Sequence, residues 1–168
     1  LLLCVQSLQK DRPRADLLHA RIAQGAPKAL LVFVAASSAQ LTERFQARMS
    51  ACFARQGLRL QDHVRLVPGM KEADYMRLLS LGDLFLDSPD WSGGNTVLEA
   101  ISTGLPCLAW PGDTFRGRHC HGIVGTLGLH SLQPTDPDHW VQQAIALAQD
   151  ADERARLRGI INDRSPEL

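Results

Sequence analysis

The stretch DSPDWSGGNTVLEAISTG, residues 87–104, lies where a short apolar run, Leu84 to Leu86, gives way to a helix-like pattern that begins near Asn95. One proline, two acids, a tryptophan, two serines and two glycines crowd the handover. The lone acid of the helical part, Glu99, falls in its second turn. A strand that passes through a small-residue turn into a helix is the repeating unit of parallel α/β sheets, and the chain repeats it on both sides of this stretch.

Apolar, β-rich runs at 1–5, 28–36, 63–69, 83–88 and 105–112 read as strands. Amphipathic runs at 13–25, 39–57, 71–82, 95–104, 116–128, 136–150 and 152–163 read as helices, that of 136–150 capped by Asp136. The second strand, KALLVFVAA, is almost continuously apolar, as a parallel strand covered on both faces should be. Strict alternation predicts right-handed βαβ units: an α/β, Rossmann-like, doubly wound parallel sheet of about five strands, one domain over 1–168. Ligands of such folds bind beyond the carboxyl ends of the strands, so the loops after strands are where function is sought.

Bulk properties narrow the classes. Lys plus Arg and Asp plus Glu are both 18, so the chain has no net charge to draw it to nucleic acid or to an anionic membrane, and any anion site is local. No apolar run approaches the roughly 18–20 residues of a membrane span. Cys4, Cys52, Cys107 and Cys120 show no C-x-x-C spacing and sit in apolar or helical settings, which fits reduced thiols in a cytoplasmic protein. The chain opens directly on the strand LLLCV without an initiator Met, as a piece of a longer protein would.

Four strand ends carry polar content. After the first, Gln6, Ser7 and Lys10 follow at once, and Lys10 is either a phosphate-meeting point charge or a solvated loop lysine. After the third, Pro68-Gly69 turns the chain so that backbone groups of Gly69 and Met70 face outward, and Tyr75, the only tyrosine, either stacks on a flat base or packs in the core. After the fourth, Gly93 and Gly94 clear side chains from a helix start whose first N–H groups lack partners and carry the positive dipole end. Asn95 and Thr96 add side-chain donors. Each helix-end charge interaction contributes about 0.3–1 kcal/mol at a surface and up to about 2 when partly buried, so a diphosphate gains from several at once. Glu99 is a poor diphosphate ligand but a good acceptor for ribose hydroxyls, a combination that marks a nucleotide site; a plain capped loop with an exposed Glu is the alternative. After the fifth, Arg116, Arg118 and His119 cluster, for anionic groups or for a partner surface. His119, Cys120 and His121 point in different directions on a helix and form no metal site, and GIVGTLG at 122–128 lacks the order and place of a dinucleotide fingerprint.

These motifs resemble the C-terminal half of GT-B glycosyltransferases, and more narrowly the O-linked N-acetylglucosamine transferase family with its SPINDLY-like bacterial members. The resemblance covers essentially the whole chain, and its carriers are VQSLQKDRP (5–13), LGDLFLDSPDWSGGNTVLEAISTGLP (81–106), PGDTFRGRH (111–119) and the terminal RGIINDRSPEL (158–168). The resemblance implies that this half holds the UDP part of a UDP-sugar. Gln6 and Lys10 match diphosphate-meeting positions, Met70 one whose backbone reads uracil, and Tyr75 a ring against the base. Asn95 and Thr96, led into by Gly93 and Gly94, match the phosphate-binding helix start, and Glu99 the acid that takes the ribose hydroxyls. The animal enzymes carry histidine in place of Gly94 and of Tyr75, and Asp in place of Glu99. The implied reaction is metal-free, inverting transfer of a sugar, N-acetylglucosamine or a hexose, from the UDP-sugar to a protein side chain, with Lys10 steadying the departing UDP. An N-terminal half and TPR-type repeats are implied partners. A retaining GT-B transferase or UDP-sugar epimerase half remains the nearer alternative, and a non-catalytic α/β scaffold the more distant one.

Overall fold

The computed structural model describes residues 1–168 apart from the side chain of Glu167. Five parallel strands, β1 (Leu2–Cys4), β2 (Leu31–Val34), β3 (Val64–Val67), β4 (Leu84–Leu86) and β5 (Cys107–Leu108), form one sheet in the order β3-β2-β1-β4-β5. Register pairs Leu2 with both Leu31 and Leu84, so β1 sits at the centre and both its neighbours run alongside it. The sheet order reverses between β1 and β4, and this reversal opens a crevice at their carboxyl ends.

Helices cover both faces: α1 (Pro13–Gly25), α2 (Ala39–Arg55), α3 (Leu60–His63), α4 (Glu72–Leu81), α5 (Asn95–Ser102), α6 (His119–Thr126), α7 (Pro137–Gln149) and α8 (Ala151–Arg164). Pro13 opens α1, where its missing N–H matters least. Ser38 caps α2, and Asp136 accepts from the His139 N–H at 2.8 Å to cap α7. The core is built from the strands and inward helix faces, with Phe33, Phe53, Phe85, Met49 and Trp140 fully buried. Gly104 ends α5 at φ +74, a left-handed turn that glycine adopts without strain, and a Cβ there would strike Asn162 Oδ1 of α8 at 2.5 Å. Arg158 of α8 donates to Thr103 O and Gly82 O, both at 3.0 Å, and so ties the last helix to the ends of α5 and α4.

The parallel α/β class and all five strands appear as the alternation predicted, with shorter spans. The run 105–112 holds only two strand residues, because Ala109 turns away to bond Leu132 O. The run 116–128 is not one helix: a 3₁₀ turn at Phe115–Gly117 precedes α6. Gly112 N–H bonds Gly117 O at 2.8 Å, and a Cβ on Gly117 would lie 2.9 Å from Gly112 Cα, so these two backbones meet too closely for a continuous helix. The short α3 and a 3₁₀ turn at His130–Leu132 carry no periodic signal of their own.

All four cysteines are buried and free. Among the described residues no helix is long and apolar enough to cross a membrane.

Candidate functional site

The loops after β1 and β4 meet at the reversal crevice and are bonded into one unit. Asp87, the first residue beyond β4, is buried and accepts from the Gln6 amide and, at 2.9 Å, from the Gly93 N–H. Gln6 turns its other end to Lys10, whose ammonium donates to Gln6 Oε1 at 2.7 Å and to Ser92 O at 3.2 Å. Ser92 Oγ accepts from the Cys120 N–H at 2.8 Å, and Ser92 N–H donates to Arg116 O at 3.0 Å, which draws the start of α6 into the same cluster. Burial pushes the Asp87 carboxyl up to about 6, against the pull of bonds from Ser92, the Gly93 N–H and Gln6 and of the Lys10 charge. Burial also lowers the Lys10 ammonium from its usual range, an effect opposed by Asp87 and Asp11. Lys10 is thus half-buried and held in place, not the mobile loop charge that its sequence context allowed.

The predicted residues separate by role. Gln6 is only 2% exposed and both its amide ends are engaged, so it orients Lys10 and Asp87 and offers no free group to a diphosphate. Gly93 is also turned inward: its N–H is taken by Asp87, and a Cβ would meet Thr96 Oγ1 at 2.4 Å and Gln6 Nε2 at 3.0 Å. Its missing side chain makes room for the protein itself, which corrects the expectation that it clears space for an anion. Gly94 is the open glycine, half-exposed at the cap of α5 with no side-chain cap bond. Asn95 follows it exposed, and Thr96 Oγ1 is buried without a partner among the described side-chain atoms. Glu99 is half-buried one turn further along. Tyr75 of α4 is half-buried beside it, its hydroxyl unpartnered and its ionisation pushed up by burial and by the Glu99 and Cys107 charges. Met70 is half-buried in the loop between β3 and α4. Of the basic cluster, Arg116 lies over the Trp91 ring at 5.0 Å, the ring that the Lys10 ammonium approaches at 6.0 Å, and Arg118 donates to Gly112 O at 2.8 Å.

Asp87 carries no signal in the sequence that marks it as a site residue. Its partner Gln6 is 81 residues away, and only the placing of β4 beside β1 brings them together. A second buried acid, Asp11, lies just beyond Lys10. Burial pushes it up to about 7, against the charge of Arg48, with the Asp16 and Asp87 charges adding to the rise and Lys10 opposing it. Arg48 binds Asp16 at 2.7 Å and Asp11 O at 2.8 Å, while Asp11 Oδ2 has no partner among the described residues. An acid that holds its proton to about pH 7 when folded, but only to about 3.9 when unfolded, binds protons more tightly in the folded state. Its contribution is therefore favourable at low pH and is lost as pH rises from about 4 to 7. Asp11→Asn removes that loss: relative to the parent chain it should gain up to about 4 kcal/mol at pH 8 and little near pH 4, read from denaturant midpoints across pH. Equal gains at both pH values would show that Asp11 does not titrate this way.

A cavity of about 500 Å³ lined by Leu1, Lys28, Asp83 and Gln149 opens at the opposite, amino-terminal edge of the strands, away from this cluster. No group of three or more His, Cys, Asp or Glu side chains that could hold a metal ion occurs among the described residues.

No family model matches the chain. Individual proteins do. The chain is 33% identical over 89 residues to a tomato (Solanum lycopersicum) protein named as probable UDP-N-acetylglucosamine–peptide N-acetylglucosaminyltransferase SPINDLY, a match of 51% of this chain and 9% of that one. It is 31% identical over 94 residues to the Arabidopsis thaliana SPINDLY, covering 54% and 10%. It is 28% identical over 85 residues to the Caenorhabditis elegans UDP-N-acetylglucosamine–peptide N-acetylglucosaminyltransferase, covering 51% and 7%. The chain thus spans about a tenth or less of the curated relatives it matches. In three dimensions it matches the Thermobaculum terrenum O-GlcNAc transferase mutant K341M with a TM-score of 0.89 at 23% identity, over 99% of this chain and 31% of that one. The fold is that of a segment of this transferase, and in sequence the chain resembles a fragment of the O-GlcNAc transferase and SPINDLY group of glycosyltransferases.

Proposed function

We propose that this chain is the C-terminal, UDP-binding half of an inverting GT-B glycosyltransferase, which moves N-acetylglucosamine or a hexose from a UDP-sugar to a protein side chain in the cytoplasm. The observation that carries the reading is the meeting of an anchored lysine with an open helix start at the reversal of the sheet. Lys10 and the Gly94–Thr96 segment present positive charge and N–H groups from loops that are bonded together before any ligand arrives. The Gly94 opening lets an anion approach the backbone, and α5 is long enough to present a dipole there.

In the transfer reaction the bond from the anomeric carbon to the diphosphate breaks while the acceptor attacks from the opposite side. Negative charge grows on the departing UDP. Lys10 and the α5 start meet that charge, and because Gln6 and Ser92 already hold the ammonium, little reorganisation is needed as it develops. Glu99 takes the ribose hydroxyls, Tyr75 lies by the base, and Met70 offers its backbone to uracil. The acceptor and most of the sugar pocket belong to an N-terminal half, with TPR-type repeats before it, and no metal is required.

The test is a titration of the 168-residue chain with UDP, ADP and GDP, followed by amide NMR. UDP-selective shifts at Met70, Tyr75 and 94–99 are expected, with a Kd between tens of micromolar and millimolar, about 4–6 kcal/mol. Glu99→Ala should weaken binding, and the chain alone should transfer no sugar. No nucleotide binding at millimolar concentration, or turnover by this chain alone, would overturn the proposal.

A further inference from the structure

The start of α6 offers the nucleotide site one side chain of the basic cluster that follows β5. His119 is the first residue of α6, and its Nδ1 lies 3.6 Å from where a Cβ on Gly94 would stand. The imidazole therefore flanks the space left open at the cap of α5. Two contacts keep it there. Phe115, itself 85% exposed, meets the ring edge-on with centroids 5.1 Å apart. One residue on, the Cys120 N–H is bonded to Ser92 Oγ, so the backbone carrying His119 is pinned to the same loop that holds Lys10. Arg118 donates to Gly112 O and Arg116 lies over the Trp91 ring, which Lys10 also approaches, while His119 is the member of the basic cluster whose ring lies against Gly94.

We infer that His119 is a binding residue of this site and donates a ring N–H to the diphosphate of the bound nucleotide at the α5 start. The inference rests on the proposed UDP site and adds to it a contact from a third loop. Gly94 is then small for a reason of its own: it admits the phosphate and the imidazole side by side.

The experiment compares the 168-residue chain with His119→Ala and His119→Gln, each titrated with uridine, UMP and UDP by calorimetry. Loss of one donor to a charged oxygen should weaken UDP about tenfold in His119→Ala and leave uridine binding unchanged, with part of the UDP affinity restored by the amide of His119→Gln. The ring signals of His119 should shift with UDP and not with uridine. If His119→Ala binds UDP as the parent does, His119 is idle while the nucleotide site stands. If the parent binds none of the three ligands, the site and this contact fall together. Weakening of uridine and UDP alike would mean that the substitution disturbs the fold around α6, and would also overturn the inference.

Discussion

Lys10→Ala in the full-length transferase is expected to lower the transfer rate by about a hundred- to a thousandfold, the usual consequence of removing one preorganised group from a developing negative charge. The effect should fall mainly on kcat, because in the proposed mechanism Lys10 gains most from the charge that appears as UDP departs and less from the ground-state diphosphate. Lys10→Arg should not rescue it. The ammonium fits between Gln6 Oε1 and Ser92 O, and a planar fork on a longer stem does not. Measurement of kcat and KM with a UDP-sugar and a peptide acceptor decides the matter, and a Lys10→Ala enzyme within tenfold of the parent would remove Lys10 from the mechanism.

Asp87→Ala should be the most damaging single change to the site's framework. It strips the acceptor from the Gln6 amide and from the Gly93 N–H, both buried, and an unsatisfied buried donor costs about 1–3 kcal/mol. Two such donors imply a loss of about 2–6 kcal/mol, or roughly 4–24 °C in Tm for a chain of this size. Relief of burying the carboxylate, which is already reluctant to ionise, works the other way and keeps the estimate from being larger. Asp87→Asn retains one acceptor oxygen and should lose less. UDP binding should fall in Asp87→Ala even at temperatures where the chain stays folded, because Lys10 loses the counter-charge and the oriented Gln6 that place it. Thermal melts alongside UDP titrations separate the two effects; a stable Asp87→Ala with parental UDP affinity would refute this account of the network.

Much of the architecture was legible before the coordinates. Helix α1 matches its expected span, 13–25, because Pro13 and the apolar spacing mark it. The strands follow from their apolar runs, and the loops after β1 and β4, both marked by polar content, meet in the structure. What periodicity does not carry is which strand lies beside which. Without the order β3-β2-β1-β4-β5, Gln6 and Asp87 are a glutamine and an aspartate 81 positions apart, and the two glycines at 93 and 94 look alike. The structure gives those glycines opposite duties, one packed against Thr96 and Gln6 and one open to solvent. The Arg48 pairings with Asp16 and Asp11 were hidden for the same reason, since they join α2 to α1 and to the loop before it.

Ser92 is where these long-range links converge: its carbonyl receives Lys10, its hydroxyl receives Cys120, and its N–H reaches Arg116. The loop after β4 and the turn before α6 therefore behave as one exchangeable part. Swapping either alone into a related transferase would break a bond at this serine and disturb the lysine on the far side, whereas a graft of 87–94 together with 112–120 carries its own wiring with it. Variation among domains of this fold should then arrive in paired changes to those two segments, and insertions in one should be matched by adjustments in the other.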